Sequence, residues 1–175
     1  DGMHYRGLLR VAGRQGGVRT YAPSSAYNHD GPCMDPEVAL DRLVDVIVGK
    51  YAPLPQRSLS GLISFLRGAA PQWSDRRAAA LVRARRRLHS REMDGIRWYW
   101  PEGENPISAR YRSPEAVRLL APFDPVVWDR HRFEHFWGWA YRFEAYTPAV
   151  RRVRGYYALP LLWRDQVIGW GNLQV

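Results

Sequence analysis

Prolines at positions 53, 55 and 71 cut the most regular part of this chain into short helices, because proline lacks an N–H and clashes with the turn before it. Upstream, Asp35, Pro36 and Glu37 supply an N-cap, a first-turn proline and a carboxylate at the positive helix end. Leu40, Leu43, Val44, Ile47 and Tyr51 then recur at helical spacing, giving one buried stripe. A second, short helix starts at Ser58, carries Leu59, Leu62, Ile63 and Leu66, and ends at Gly68. Ser74 caps a third helix through Leu88, and Asp94-Gly95 turns a hairpin. Helix, short helix, helix, hairpin is the order of a winged helix, in which the third helix enters the DNA groove and the hairpin is the wing.

Before this unit, Leu8 to Ala22 reads as two strands around Gly16-Gly17, the wing of a preceding winged helix. A polar linker with Pro23, Gly31 and Pro32 follows. After it, Glu102 to Ser113 is a polar connector. From Pro114 the chain becomes aromatic and β-like, with strands expected at Tyr141 to Tyr146, Gly155 to Leu162 and Gln166 to Leu173. A short helix is expected near Asp129 to Trp137. The expected fold is α+β, divided as 1–34 (remnant wing and linker), 35–101 (winged helix), 102–113 (connector) and 114–175 (partial β-barrel-like domain). The chain opens at Asp1, so either Met3 is its start or it is a segment of something longer.

Charge narrows the function. The net charge is +9 and Lys50 is the only lysine, so the excess is arginine. A GC-rich genome explains arginine over lysine but not the net excess, which a polyanionic partner explains. Hydrophobic residues at 46% and charged residues at 25% describe a globular chain rather than a disordered one. No apolar run approaches the roughly 20 residues of a membrane span, and no signal peptide opens the chain. Cys33 is the only cysteine, so no internal disulfide forms. A cytoplasmic protein without membrane contact is expected.

Two segments concentrate the cations. On the third helix Leu81 and Leu88 fall on one side and Arg76, Arg83 and Arg87 on the other, with Arg86 beside them. The only acids near in sequence are Asp75 and Glu92, so the row is expected to face phosphates or guanine edges. A solvated arginine face is the alternative. Farther on, Arg151, Arg152 and Arg154 lie between Tyr146 and Tyr156-Tyr157. They could hold phosphates while the tyrosines stack on bases, or form an ordinary loop over packed tyrosines. His131-Arg132-Phe133-Glu134-His135 matches the H-x-x-E-H pattern of some zinc hydrolases. No third ligand is in sight, and a pair of surface histidines is the preferred reading. No phosphate loop, serine elbow or cysteine nucleophile is present.

At Leu119-Leu120-Ala121-Pro122-Phe123-Asp124-Pro125-Val126-Val127-Trp128-Asp129-Arg130 the sequence resembles the YcaQ/AlkZ-like family. These are bacterial winged-helix DNA glycosylases that unhook interstrand crosslinks and remove alkylated purines. Tyr146-Thr147-Pro148-Ala149, Gly155 to Leu162 and Val167-Ile168-Gly169 carry the resemblance further. Tyr5 to Leu9 and Val18 to Tyr21 resemble a family wing. The resemblance implies tandem winged helices with a C-terminal β-barrel, double-stranded DNA as partner, and no metal or organic cofactor. It implies catalysis by a Gln-x-Asp or Gln-x-Gln motif, yet none of Gln15, Gln56, Gln72, Gln166 or Gln174 begins one. The family's Gly-Arg-x-Asp-x-Lys is here Gly169-Trp170-Gly171-Asn172-Leu173-Gln174, three charges made neutral. The histidines of the H-x-x-E-H match stand where relatives resemble Arg-x-x-Glu-x.

The sequence is therefore expected to be the DNA-binding portion of a glycosylase-like repair protein, with its catalytic motif outside this chain. No catalytic or metal-binding residue is assigned within it. A non-enzymatic DNA-binding regulator is the alternative, and an interaction scaffold a third.

Overall fold

The computed structural model describes residues 2–5, 7–24 and 34–172. The expected linker residues Gly31 and Pro32, with Cys33, lie outside them, as do Leu173 and Gln174. A single-turn helix α1 (Gly2–Tyr5) leads into the hairpin of β1 (Leu9–Gln15) and β2 (Val18–Pro23).

Helix α2 (Pro36–Tyr51) begins as its residues dictate. The Asp35 carboxylate accepts the Glu37 and Val38 N–H groups at 2.7 and 3.3 Å, satisfying two donors that the first turn leaves open. Its inner stripe, Leu40, Val44 and Val48, is fully buried. The short strand β3 (Leu54–Pro55) follows, and α3 (Gln56–Ser64) starts two residues before Ser58, because Pro55 already stands at the N-cap. The helix ends at Ser64. A separate turn, α4 (Leu66–Ala69), takes Leu66 and Gly68. Ser74 caps nothing; a 3-10 turn (Pro71–Arg76) runs straight into α5 (Arg77–Arg87).

Strands β4 (His89–Met93) and β5 (Ile96–Trp100) form the hairpin expected around Asp94-Gly95. Both turn residues have positive φ, 52° and 70°, which favours the Asp-Gly pair in a two-residue loop. β3 pairs with β5, so this sheet runs β3-β5-β4. One core holds the unit, built from Leu40, Val44, Leu59, Ile63, Ala80 and Tyr99.

The third part contains β6 (Val117–Leu119), α6 (Pro125–Trp128), α7 (Arg130–Trp137), β7 (Ala158–Trp163) and β8 (Gln166–Asn172). Its strands form an antiparallel sheet in the order β6-β7-β8. Among the described residues this sheet is open, where a barrel-like domain was expected. The expected strand Tyr141–Tyr146 is also absent. Burial there does not alternate: Tyr141 and Glu144, three residues apart, are both inside and Arg142 is outside, and no strand pairs with the segment. Tyr141 instead lies in the core with Leu120, Val127, Phe133 and Val167, and its hydroxyl donates to the Ala158 carbonyl at 2.8 Å.

Helix α7 also joins this part to the preceding unit. The Arg132 guanidinium is buried and donates to the carbonyls of Tyr51, Pro53 and Pro125. Phe136 stacks on Trp98 of β5 at 5.2 Å, and Trp128 meets Tyr51 and Phe65.

Candidate nucleic-acid interface

The third-helix arginines do not form one free row. The buried side of α5 is Ala80 and Ala84, with Leu88 beyond, rather than Leu81 and Leu88. Turning that side inward brings Arg83 and Arg87 against α2. The Arg83 Nε donates to both Asp41 oxygens at 3.1 and 2.9 Å, and its Nη1 lies 3.4 Å from Glu37. Arg87 pairs with Asp45 and donates to the Asp41 carbonyl at 3.0 Å. The acids absent from the neighbouring sequence come from another helix. Glu37, Asp41 and Asp45 are spaced four residues apart and present one acidic row. That row was the signal available in the sequence. The hydrogen bond that Arg83 donates to Asp41 raises the arginine's pKa above its ordinary value.

Other α5 arginines are also held internally. Arg77 donates to the Ser74 and Ser64 carbonyls at 2.7 and 2.9 Å, and Arg85 to the Ser60 hydroxyl at 3.1 Å. Arg76 and Arg86 differ from these. Both are exposed, and neither pairs with a carboxylate among the described residues.

The second basic segment is more ordered than its composition suggests. Glu144 is buried, and its carboxylate accepts the Val153, Arg154 and Gly155 N–H groups at 2.8 to 3.1 Å. The backbone N–H of Val153 heads the causes that hold the Glu144 pKa below its ordinary value. Arg152 donates through Nε to the Thr147 carbonyl at 2.7 Å and lies 4.9 Å over the Tyr156 ring. Arg154 lies 5.1 Å over Trp170, and its carbonyl accepts from Asn172 at 2.8 Å. Two of the altered family positions, Trp170 and Asn172, thus brace this loop. Arg151 is exposed, and none of Arg151, Arg152 or Arg154 pairs with a carboxylate among the described residues.

A cleft of about 680 Å³ opens between the start of α3, the β4–β5 hairpin and α7. Its walls include Gln56, Arg57, Arg97, Trp98, His131 and His135. The two histidines of the H-x-x-E-H match therefore face one cavity. Among the described residues no three His, Cys, Asp or Glu side chains gather at metal-binding distance. No described helix is long and apolar enough to cross a membrane.

Compared with known protein families, residues 1–174 match the family described as DNA glycosylase AlkZ-like. No solved structure matches the chain.

Proposed function

The chain belongs to the AlkZ-like DNA glycosylase family, and from that premise we propose that it is a duplex-DNA-binding part of a repair protein acting on alkylated or crosslinked DNA. The observation that carries this reading is the separation of the arginines into two groups. Arg83 and Arg87 tie α5 to the acids of α2. Arg76, Arg86, Arg151, Arg152 and Arg154 have no carboxylate partner among the described residues and remain available for phosphates.

The unit from α2 to β5 is, on this proposal, a winged helix. Its element order and the pairing of β3 with the second hairpin strand support that assignment, and α5 would lie along the groove. Apart from Arg86, the α5 surface that faces outward carries Ala78, Ala79 and Val82 rather than amide side chains. Such a surface offers few hydrogen bonds to base edges, so binding with little sequence preference is expected. The hairpin β1–β2 takes the place of a preceding wing.

The chain's part in repair is to hold the substrate. Hydrolysis of a glycosidic bond needs a positioned water and stabilisation of a cationic sugar, and no Gln-x-Asp or Gln-x-Gln pair stands in these 175 residues. Asp124 and Asp129 are engaged as helix caps, accepting the Val126 and Arg132 N–H groups. That missing pair also supports a second reading, a DNA-binding regulator without enzymatic activity.

Fluorescence anisotropy on a labelled duplex tests the proposal. Arg76→Glu with Arg86→Glu, and separately Arg151→Glu with Arg152→Glu, should each weaken binding at least about tenfold. Unchanged affinity in both double variants contradicts it. Strong discrimination among unrelated duplexes would favour the regulator.

A further inference from the structure

The segment after Glu144 combines two properties that ordinary surface loops keep apart. It is rigidly held, and its tip is apolar and almost wholly in water. Val150 is 92% exposed, Tyr146 91% and Val153 82%. The loop's own bonding is nevertheless dense. Glu144 gathers three consecutive N–H groups, the Arg151 and Arg152 N–H groups close a turn on Pro148 and Ala149, and Asn172 holds the Arg154 carbonyl. Gly155, at φ 126°, sits so close to Asn172 that a Cβ would come within 2.6 Å of its side chain. The loop is therefore fixed in a shape that no contact of its valines explains.

Resting on the duplex-binding reading, we propose that residues 147–155 form a preformed wedge that inserts Val150 and Val153 into a base step of duplex DNA while Arg151, Arg152 and Arg154 hold the flanking phosphates. Small apolar wedges enter from the minor groove and partly unstack one step, and the unstacking cost is offset because the bent duplex wraps more of the protein surface. The local charge fits that partner. Three arginines surround the apolar tip, and the oxygens of the adjacent acid, Glu144, are directed to backbone N–H groups. Arg152 and Arg154 rest on the Tyr156 and Trp170 rings, which orients their guanidinium groups before any phosphate arrives. Prior ordering lowers the entropy lost on binding. A lipid surface shares the anionic, apolar-cored chemistry, but interfacial anchors are large aromatic or long aliphatic side chains on extended faces, whereas this tip carries two valines and a single aromatic, Tyr146, beside them.

The test uses the whole chain and short duplexes carrying 2-aminopurine at successive central steps, whose fluorescence rises when the base unstacks. Wild-type protein at saturation should raise that signal. Val150→Ser with Val153→Ser should remove most of the rise and weaken binding by less than about tenfold, whereas Arg151→Ala with Arg152→Ala should weaken it more. Circular dichroism of each variant checks that it is folded, and Val150→Ile should retain the signal. Binding without any rise overturns the wedge and leaves the duplex-binding reading standing. No binding at low salt overturns both. Tighter binding to phosphatidylserine vesicles than to DNA, lost in the valine double variant, overturns the wedge in favour of a membrane anchor.

Discussion

The guanidinium of Arg132, on helix α7, donates to the backbone carbonyl of Tyr51 at the end of helix α2. The same group reaches Pro53 at 3.1 Å and also binds Pro125. One buried cation thereby satisfies carbonyls on both sides of the junction between the α2–β5 unit and the α6–β8 part. Burial lowers its pKa, and Asp129 opposes that shift.

Arg132→Met should therefore cost about 3 kcal/mol, because it leaves three part-buried carbonyls without their donor. Urea unfolding followed by tryptophan fluorescence measures it. A second, separate transition should appear as the two parts lose their link, and a loss below about 0.5 kcal/mol contradicts the assignment.

The Arg83–Asp41 pair makes an opposite kind of prediction. A double-mutant cycle should return a coupling of about 1 kcal/mol, at the upper end for partly exposed pairs, because Nε lies within 3.1 Å of both carboxylate oxygens. The charge-balanced variant, Arg83→Ala with Asp41→Ala, should shift DNA affinity by less than about threefold. A tenfold loss would return Arg83 to the interface.

The Asp35 cap and the Asp94-Gly95 turn were legible in the sequence because they are local, whereas the cap expected at Ser74 does not form. Asp35 and Asp94-Gly95 act through residues two or three positions away, and both do what their chemistry requires. The pairing of Arg83 and Arg87 was not legible because their partners, Asp41 and Asp45, lie 42 residues upstream. Only the regular spacing of acids on α2 hinted at them. Tyr141 to Tyr146 shows the limit of periodicity. Apolar and polar residues alternate there in sequence, but the buried ones, Tyr141 and Glu144, are three apart, and a strand also needs a hydrogen-bonded neighbour. Of the candidate site, the basic loop could be seen as composition. Its rigidity could not, because it depends on Glu144, a single acid set among aromatic residues.

Two titrations should bound the stable pH range of the C-terminal part. Burial raises the Tyr141 pKa from 10.0 to about 12, so its contribution is complete below pH 10 and lost as pH climbs through 12. Tyr141→Phe should be less stable at neutral pH, by about 1 kcal/mol for the bond to Ala158, and should lose less stability than wild type across that alkaline interval. Glu144 titrates in the other direction. Its pKa lies below the ordinary 4.5, so its support for the loop is present above that value and disappears as pH falls through the lowered one. Amide exchange of Val153 and Arg154, corrected for intrinsic rates, should lose protection there. Thermal denaturation against pH, with these amides as local probes, checks both. Protection that survives full acidification contradicts the role given to Glu144.

The most direct test of the account is the salt dependence of duplex binding by this chain. Each phosphate neutralised on B-DNA contributes about −0.9 to the slope of log K against log salt. If Arg76, Arg86, Arg151, Arg152 and Arg154 supply the contacts, the slope should lie between about −3 and −5, and removing Arg86 should make it shallower by about 1. A slope near zero, or no affinity for duplex at low salt, would contradict the account.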